Sequence, residues 1–206
     1  MSEQYFAREP AAAHRPGTVH VLLPDLHLVL DTDSGVFSPR RLDPGTRLLL
    51  EIAPPPPATG NHLDLGCGYG PLALTIAFRA PGARVWAIDV NTRALALTGA
   101  NAARAGLTNI TCSLPDDPGL PKQFDLIWSN PPVRIGKTVL HGLLAGWLDR
   151  LAAGAAAYFV VQRNLGSDSL QKWLAESGWN AERAAARSGY RVLKVSGTRH
   201  LSGAAR

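Results

Sequence analysis

A cluster of glycines between a short apolar strand and a helix constrains this chain more than any other feature. The apolar run at residues 62–65 leads into Gly66, Gly68 and Gly70, and Pro71 suits the first position of the helix that follows. Glycine at such a junction lets the backbone turn sharply and lets a ligand approach it closely, and the amides at the start of a helix favour an anionic group. The junction therefore predicts a ligand-binding loop at the edge of an α/β sheet.

Strands and helices alternate along most of the chain. Apolar runs predict strands at residues 62–65, 83–90, 110–113, 124–129 and 155–162. Helical patterns separate them at residues 71–79, 92–105 (with Thr92 as the N-cap), 139–151 and 167–177. Two further runs on either side of Ser188-Gly189, at 181–187 and 190–195, predict a terminal hairpin. The alternation predicts a mostly parallel sheet with helices on both faces, and the hairpin adds an antiparallel strand.

The first part of the chain carries a second hairpin and a capped helix. Apolar-rich runs at residues 19–23 and 26–30 flank Pro24-Asp25 and predict a β-hairpin. Asp43 can cap a helix that begins at Pro44 and ends before the prolines at 54–57. The 206 residues suffice for one domain with a proper core and are few for two. We therefore expect a single domain, with an extension over residues 1–40 that carries the hairpin and a catalytic core over residues 41–200.

The third glycine and two acids narrow the kind of ligand. A dinucleotide-binding fingerprint reads G-x-G-x-x-G/A, whereas Gly70 comes one place early and Pro71 stands at the expected position. Asp64, on the preceding strand, suits a cationic ammonium group better than a pyrophosphate. Asp89, at the end of the next strand, can accept hydrogen bonds from both ribose hydroxyls of an adenosine.

These residues carry a resemblance to a known family. The segment from Asp64 to Gly70 resembles the first motif of the class I S-adenosylmethionine-dependent methyltransferases, and residues 87–89 resemble the second. The resemblance implies S-adenosylmethionine as the cofactor and a Rossmann-like, seven-stranded sheet with an antiparallel final hairpin. It implies a set of cofactor-binding residues: Asp64, Gly66, Cys67, Gly68, Asp89, Val90 and Asn130.

The tetrapeptide Ser129-Asn130-Pro131-Pro132 follows an apolar strand and should lie at its carboxyl end. Pro131 biases Asn130 towards an extended backbone, and the two prolines stiffen the turn. The Asn130 side-chain oxygen and a carbonyl near Pro131 can accept both N–H hydrogens of an aryl-type amine, which orients the nitrogen and stabilises its developing positive charge. No strong general base is required, because the amine becomes acidic only as the methyl group arrives. We therefore expect Asn130, Pro131 and Pro132 to be catalytic.

A wider series of motifs resembles the "methyltransferase small" domain. It comprises residues 34–38, 42–46, the cofactor motifs, residues 130–137 and residues 189–192. Within that family the chain resembles the guanine-N2 methyltransferases of small-subunit ribosomal RNA in a single-domain form. The implied partner is RNA, which agrees with a formal net charge of +5. Phosphate contacts are expected from Arg134 and Lys137 beside the catalytic loop and from Arg40-Arg41, with solvated surface charge as the alternative.

The chain departs from the amino-methyltransferase pattern at two places. Val133 replaces the aromatic residue that would stack on a flipped base, which weighs against glutamine and DNA-adenine methyltransferases because these usually keep a tyrosine. We expect Val133 to remain at the substrate site and Phe37 to supply the stacking ring, with Tyr5, Phe6 and Arg134 as alternatives. The acid often found after the third strand appears as Leu114, so Asp116 or Asp117 could take its place near the adenine.

Three other functions remain open at the level of sequence. They are methylation of another amine (a protein glutamine or adenine N6), an NAD-dependent oxidoreductase, and a non-catalytic RNA-binding factor in ribosome assembly. The early third glycine and the Asn-Pro-Pro loop count against the oxidoreductase. An idle domain need not keep Asp64, Asp89 and Asn130 together, as this chain does.

Cysteines, histidines and hydropathy limit the remaining possibilities. Cys67 and Cys112 fit small buried residues, and no cluster of cysteine and histidine has the spacing of metal ligands, so we expect no metal. No apolar run is long enough to cross a membrane, and the first residues contain no apolar segment typical of a secretory signal. With only two cysteines, these features predict a cytoplasmic location and no membrane partner. The pattern does not predict an oligomeric state.

Overall fold

Nine strands and five helices are present in residues 8–197, the part of the chain that the computed structural model describes. The strands are β1 Gly17–Leu23, β2 Leu26–Thr32, β3 Thr59–Leu65, β4 Gly82–Ile88, β5 Ile110–Ser113, β6 Phe124–Ser129, β7 Leu151–Gln162, β8 Asn180–Arg187 and β9 Tyr190–Ser196. The helices are α1 Pro44–Ile52, α2 Pro71–Arg79, α3 Thr92–Arg104, α4 Lys137–Leu148 and α5 Ser167–Glu176. None of these helices is long and apolar enough to span a bilayer.

Seven of the strands form one sheet in the order β5-β4-β3-β6-β7-β9-β8. Strands β3 to β7 all run parallel to one another. Strand β9 is antiparallel to β7, and β8 is antiparallel to β9. Strands β1 and β2 pair with each other in a separate antiparallel sheet. The predicted fold is confirmed: a Rossmann-like, mostly parallel seven-stranded sheet, a terminal antiparallel hairpin and an N-terminal β-hairpin.

Each face of the large sheet is covered by its own hydrophobic cluster. One cluster joins buried residues of α1, α2 and the N-terminal hairpin to the sheet, and the other joins α4 and α5 to the opposite face. Helices therefore lie on both faces, as the alternation of elements predicted. All parallel strands between the clusters end at the same edge of the sheet, which brings the loops after β3, β4 and β6 together.

A buried asparagine attaches the N-terminal hairpin to the rest of the molecule. The Asn101 side chain on α3 accepts the Asp31 N–H at 2.8 Å and donates to the carbonyl oxygens of Asp31 and Tyr69, each at 2.9 Å. Buried Val19 and Val21 complete the attachment through the cluster they share with α2. The hairpin thus packs into the same core as the helices, and the division at residues 1–40 and 41–200 stays a prediction.

Two local predictions were wrong. The helix expected at 139–151 ends at Leu148, and Leu151 already pairs with Phe124 at the start of β7. The alanine-rich sequence after it favours a helix, but pairing with β6 prevails. Helix α3 is capped by Asn91, whose side-chain oxygen accepts the Arg93 N–H at 2.9 Å, and Thr92 is instead its first helical residue.

Asp64 is fully buried in the middle of the fold. Leu63 and Leu65 face the cluster beneath α4 and α5, so Asp64 points to the other face of the sheet, towards α2. Its Oδ2 accepts the Ala73 N–H at 2.8 Å, whereas its Oδ1 has no hydrogen-bond partner among the described residues. Burial, reinforced by the nearby charge of Asp89, raises the pKa of Asp64 to about 8. The acid is therefore largely protonated at neutral pH.

This burial makes stability depend on pH in a definite direction. The unfolded carboxyl ionises near its ordinary pKa of 3.8 and the folded one near 8, so folding between these values takes up a proton. The stabilising contribution is complete below the lower pKa and is lost as pH rises through the upper one. Asp64→Asn keeps an acceptor for Ala73 but binds no such proton. As pH rises from about 5 to about 8, the wild type loses this contribution and the variant does not. The Tm of the variant minus that of the wild type should therefore increase by at least about 2–4 °C, the shift expected per kcal/mol in a domain of this size. If the Tm values of the two proteins changed with pH by the same amount, Asp64 would not be protonated in the folded protein.

Candidate active site

A cavity of about 500 Å³ opens at the edge of the sheet where the parallel strands end. Its volume lies in the range of small-molecule binding sites. Eight residues predicted from the sequence to bind cofactor or substrate, or to be catalytic, line it: Phe37, Gly66, Cys67, Gly68, Asp89, Val90, Asn130 and Pro132. Five others lie outside its wall: Asp64, Pro131, Val133, Arg134 and Lys137. The sequence motifs after three different strands thus meet in one place.

The glycine loop is fixed against the end of β4. The amides of Gly66 and Cys67 donate to the carbonyl oxygen of Ile88, at 2.8 and 3.0 Å, and the Gly68 amide donates to Asp89 Oδ2 at 3.0 Å. These three loop amides therefore have acceptors within the protein. Gly66 and Gly68 have φ angles of +77° and +58°, and a Cβ on either would meet no other atom within 4 Å. The loop is rigid and leaves open space above its glycines.

Asp89 lies directly after β4 with both carboxyl oxygens held by the backbone. Oδ2 accepts the Gly68 N–H and Oδ1 accepts the Asn91 N–H, each at 3.0 Å. Burial raises the pKa of Asp89, against the opposing effect of these backbone bonds. A carboxylate has about four acceptor positions, so the backbone donors of Gly68, Asn91 and Val90 leave at least one of them for a ligand. The residue lines the cavity, where it can accept from a hydroxyl group.

The Asn130 side chain is held by the start of α1, whose Asp43 and Thr46 also line the cavity. Its Nδ2 donates to Asp43 Oδ2 and to Thr46 Oγ1, both at 2.9 Å. These two bonds use both amide hydrogens. No donor within residues 8–197 bonds Asn130 Oδ1, so the group that the side chain still offers at the cavity is a hydrogen-bond acceptor. The sequence identified Asp43 as a helix cap and did not connect it with Asn130.

The Asn-Pro-Pro loop at residues 130–132 continues into a single helical turn, Val133–Ile135, that arranges the neighbouring predicted residues. The Pro131 carbonyl accepts the Val133 N–H at 2.8 Å, which leaves one lone pair on that oxygen. Val133 packs against the cluster beneath α4, whereas Arg134 and Lys137 are exposed. Pro131 itself is buried.

The ring proposed for base stacking stands at the mouth of the cavity. Phe37 is 53% exposed, although it is among the lining residues. An exposed aromatic ring beside a cavity can contact a planar ligand on its face. The alternatives Tyr5 and Phe6 lie outside the described residues.

Several wall residues were not predicted from the sequence. Glu9 to Ala12 form a strap along the cavity, and α4 contributes Leu143 and Trp147. The strap is held by Arg93, whose Nη1 donates to the carbonyl oxygens of Ala12 and Ser34 at 3.0 and 2.7 Å. The spacing of Leu143 and Trp147 on one face of α4 was the only signal available for these contacts. The strap carries no motif.

The acids considered near the adenine lie elsewhere. Asp117 accepts the Ser113 hydroxyl at 2.5 Å and the Gly119 N–H at 2.7 Å, and Asp116 pairs with Arg8. Pro115 lines the cavity at this position instead. Over residues 8–197, no group of three or more histidine, cysteine, aspartate or glutamate side chains could hold a metal ion.

The residues present fit an adenosine cofactor with a cationic end. The wall is mainly apolar and combines open space above two glycines with a strand-end carboxylate that has free lone pairs. Oδ1 of Asp64, buried beneath the loop, is a further polar atom that has no partner within residues 8–197.

Comparisons with known proteins agree with this geometry. The family model of the methyltransferase small domain matches residues 27–194. The uncharacterized protein YbxB of Bacillus subtilis is 32% identical over 198 residues, which cover 95% of this chain and 98% of that protein. The ribosomal RNA small subunit methyltransferase C of Pseudomonas entomophila is 43% identical over 102 residues, which cover 50% of this chain but only 30% of that longer protein.

A solved structure has the same fold as this chain. The Thermus thermophilus 16S ribosomal RNA guanosine-N2 methyltransferase, solved with S-adenosylmethionine and guanosine, superposes with a TM-score of 0.72 at 22% identity. The superposition covers 91% of this chain and 52% of that one. The family match supports the methyltransferase interpretation over the oxidoreductase one. This chain belongs to the methyltransferase small domain family of class I methyltransferases, and its cofactor is S-adenosylmethionine.

Proposed function

We propose that this protein methylates the exocyclic N2 amine of a guanosine in small-subunit ribosomal RNA. One observation carries the choice of an amine. Both hydrogens of the Asn130 amide are bound by Asp43 and Thr46, so only the acceptor Oδ1 remains for a substrate. An acceptor in that position suits an N–H group and offers nothing to an oxygen or a ring carbon that lacks a hydrogen to donate.

When bound, S-adenosylmethionine supplies an electrophilic methyl group on a sulfonium sulfur. We assign the ribose hydroxyls to Asp89, whose carboxyl lines the cavity and keeps acceptor capacity beyond its backbone bonds, and the adjoining contacts to Val90. The loop of Gly66, Cys67 and Gly68 would hold the methionine part. Asp64, beneath the loop, would release its proton when the cationic ammonium group binds, and its Oδ1 would then accept from that group.

The chain's own contribution to the chemistry is orientation and charge stabilisation. The nitrogen of an aryl amine is a weak nucleophile because its lone pair is delocalised into the ring. Asn130 Oδ1 and the remaining lone pair of the Pro131 carbonyl would accept its two N–H hydrogens, which places the nitrogen and favours the positive charge that develops on it. Because Pro131 and Pro132 restrict the backbone, little reorganisation is needed at the moment of transfer. Asn130 would also border the bound cofactor.

The charges around the cavity support a polyanionic substrate. Arg40, Arg41, Arg134 and Lys137 are exposed, and none of them forms an ion pair within residues 8–197. Arg134 and Lys137 follow the catalytic loop directly, where the phosphates beside an inserted base would pass. Unpaired cations in this position are available to neutralise phosphates. Phe37, which lines the cavity, would stack on the base, whereas Val133 lies outside the cavity wall.

Guanine and ribosomal RNA are proposed from the names of relatives. The Pseudomonas protein is named as a small-subunit ribosomal RNA methyltransferase, and the superposed Thermus protein is named as a methyltransferase of a guanosine N2 in 16S ribosomal RNA. Neither alignment covers more than 52% of the relative, so a large part of each of those proteins has no counterpart in the comparison. A target folded within an assembled subunit would position its own base and suit this chain.

Two variants should separate cofactor binding from chemistry. Asp89→Ala should weaken binding of S-adenosylmethionine by about 1–3 kcal/mol, because polar groups of the ligand lose their partners.

Asn130→Ala should leave that affinity nearly unchanged and lower turnover by about two orders of magnitude, as the loss of a preorganised polar contact does. Calorimetry and single-turnover methyl transfer measure the two effects. Equal turnover in Asn130→Ala and wild type would remove Asn130 from the reaction.

The substrate itself can be identified with labelled cofactor. Naked small-subunit RNA, the assembled small subunit and a glutamine-containing peptide should be incubated in parallel, followed by mass spectrometry of the nucleosides. We expect N2-methylguanosine, with the assembled subunit as the better substrate. Label only in the peptide, or in RNA only as methyladenosine, would assign the site to another amine. Binding of RNA without any transfer would support an idle RNA-binding domain.

The role of the exposed cations predicts a change in salt dependence. Arg134→Ala should lower the slope of log affinity against log salt concentration by about one, because one phosphate contact is lost. Arg84→Ala is a matched control, since Arg84 is also exposed but lies on β4 away from the cavity wall. Equal slopes for the two variants would show that Arg134 does not contact RNA.

A further inference from the structure

We infer that Asp43 and Thr46, in the first turn of α1, are positioning residues that fix the catalytic amide of Asn130. The inference rests on the role proposed for Asn130 above. It assigns to a helix N-terminus that carries no cofactor motif a role in the reaction that is exerted through Asn130. The contacts that support it join residues 84 and 87 positions apart in the chain.

Asp43 determines the orientation of the Asn130 side-chain amide, that is, which of its Nδ2 and Oδ1 atoms faces α1. The 2.9 Å contact joins Asn130 Nδ2 to a carboxylate oxygen, which can only accept a hydrogen bond. Rotating the amide by half a turn would place Asn130 Oδ1 against that oxygen, so two acceptors would face each other. Thr46 Oγ1, also at 2.9 Å from Nδ2, takes the second hydrogen. The orientation that remains is the one in which Oδ1 is free for the substrate.

The first turn of α1 cannot yield easily. Asp43 Oδ2 also accepts the Thr46 N–H at 2.9 Å, and the Asp43 carbonyl accepts the Arg47 N–H at the same distance. Thr46 is 4% exposed. Gly45 packs against the ring of Tyr190 at the start of β9, where a Cβ would lie 2.6 Å from a ring carbon. The turn is therefore wedged between β9 and the catalytic loop.

The negative charge of Asp43 adds an electrostatic contribution. A hydrogen bond from an amide N–H to a carboxylate polarises the amide and increases the negative charge on its oxygen. That oxygen is the proposed acceptor for an amine that becomes positive during transfer. Asp43 would therefore strengthen, through Asn130, the interaction that matters most when the charge develops.

Helix capping alone would require only part of this arrangement. Serine, asparagine and aspartate cap helices about equally well. A serine at position 43 can still accept the Thr46 N–H, but its shorter side chain falls short of Asn130. An asparagine at position 43 can still cap the helix and still has a side-chain oxygen that extends as far towards Asn130, but it carries no charge. Asp43→Ser and Asp43→Asn therefore form a matched pair that separates capping from positioning.

The kinetic test uses the full-length chain with the RNA substrate that the wild type methylates. Asp43→Ser should lower kcat about 10- to 100-fold, the effect of a misplaced reacting group, with cofactor Kd and RNA KM within about twofold of wild type. Its free energy of unfolding should stay within about 0.5 kcal/mol of that of Asp43→Asn, because both variants are capped. Asp43→Asn should recover most of the lost turnover. Wild-type kcat in Asp43→Ser would overturn the inference.

A second test needs no substrate or cofactor. In the free wild-type protein the two side-chain amide protons of Asn130, assigned by their absence in Asn130→Ala, should exchange slowly with water because both are hydrogen-bonded. In Asp43→Ser at least one should exchange at the rate of an exposed amide. Rapid exchange of both protons in the wild type would overturn the inference as well. Full turnover in Asn130→Ala would instead refute the proposed function, so the two failures are distinguishable.

Discussion

The glycine loop depends on its hydrogen bonds to the end of β4, and the rest of the site depends on the loop. The Ile88 carbonyl receives two successive loop amides, and Asp89 receives a third. These bonds require the parallel register in which Leu65 lies beside Ile88. A shift of one residue in that register would turn Asp64 towards the opposite hydrophobic cluster and remove the partner of Gly68. Sheet pairing and ligand binding are therefore enforced by the same few contacts.

The remaining walls come from distant parts of the chain, and each is attached by a polar contact at its inner side. Asn101 joins the N-terminal hairpin to the Tyr69 carbonyl. The start of α1 meets the catalytic loop at Asn130. Arg93 holds the strap. Apolar packing fills the two clusters, but it is non-directional, whereas a buried hydrogen bond is costly to break and has a defined geometry. These contacts explain how loops without regular structure keep fixed positions.

Much of the fold and the centre of the site could be predicted from the sequence because their signals are local. The apolar run before Asn130 and the spacing of Gly66 to Gly70 each lie within a few residues and carry their own geometry. The strap, the wall residue Trp147 and the second role of Asp43 could not be predicted, since each is defined by a partner far away in the chain. The strand start at Leu151 was missed for the same reason, because pairing with Phe124 outweighed a local helical preference.

The strap has a consequence for how the protein matures. It is synthesised before α4, yet the cavity that it borders also requires Trp147 from that helix. A chain whose synthesis stops between the strap and α4 has no complete cavity. Tight cofactor binding therefore indicates that the strap and α4 have folded together. A ligand that binds only the finished structure also shifts the folding equilibrium towards it. In a cell rich in S-adenosylmethionine, the cofactor would therefore act on newly made chains as a folding ligand before it acts as a reagent.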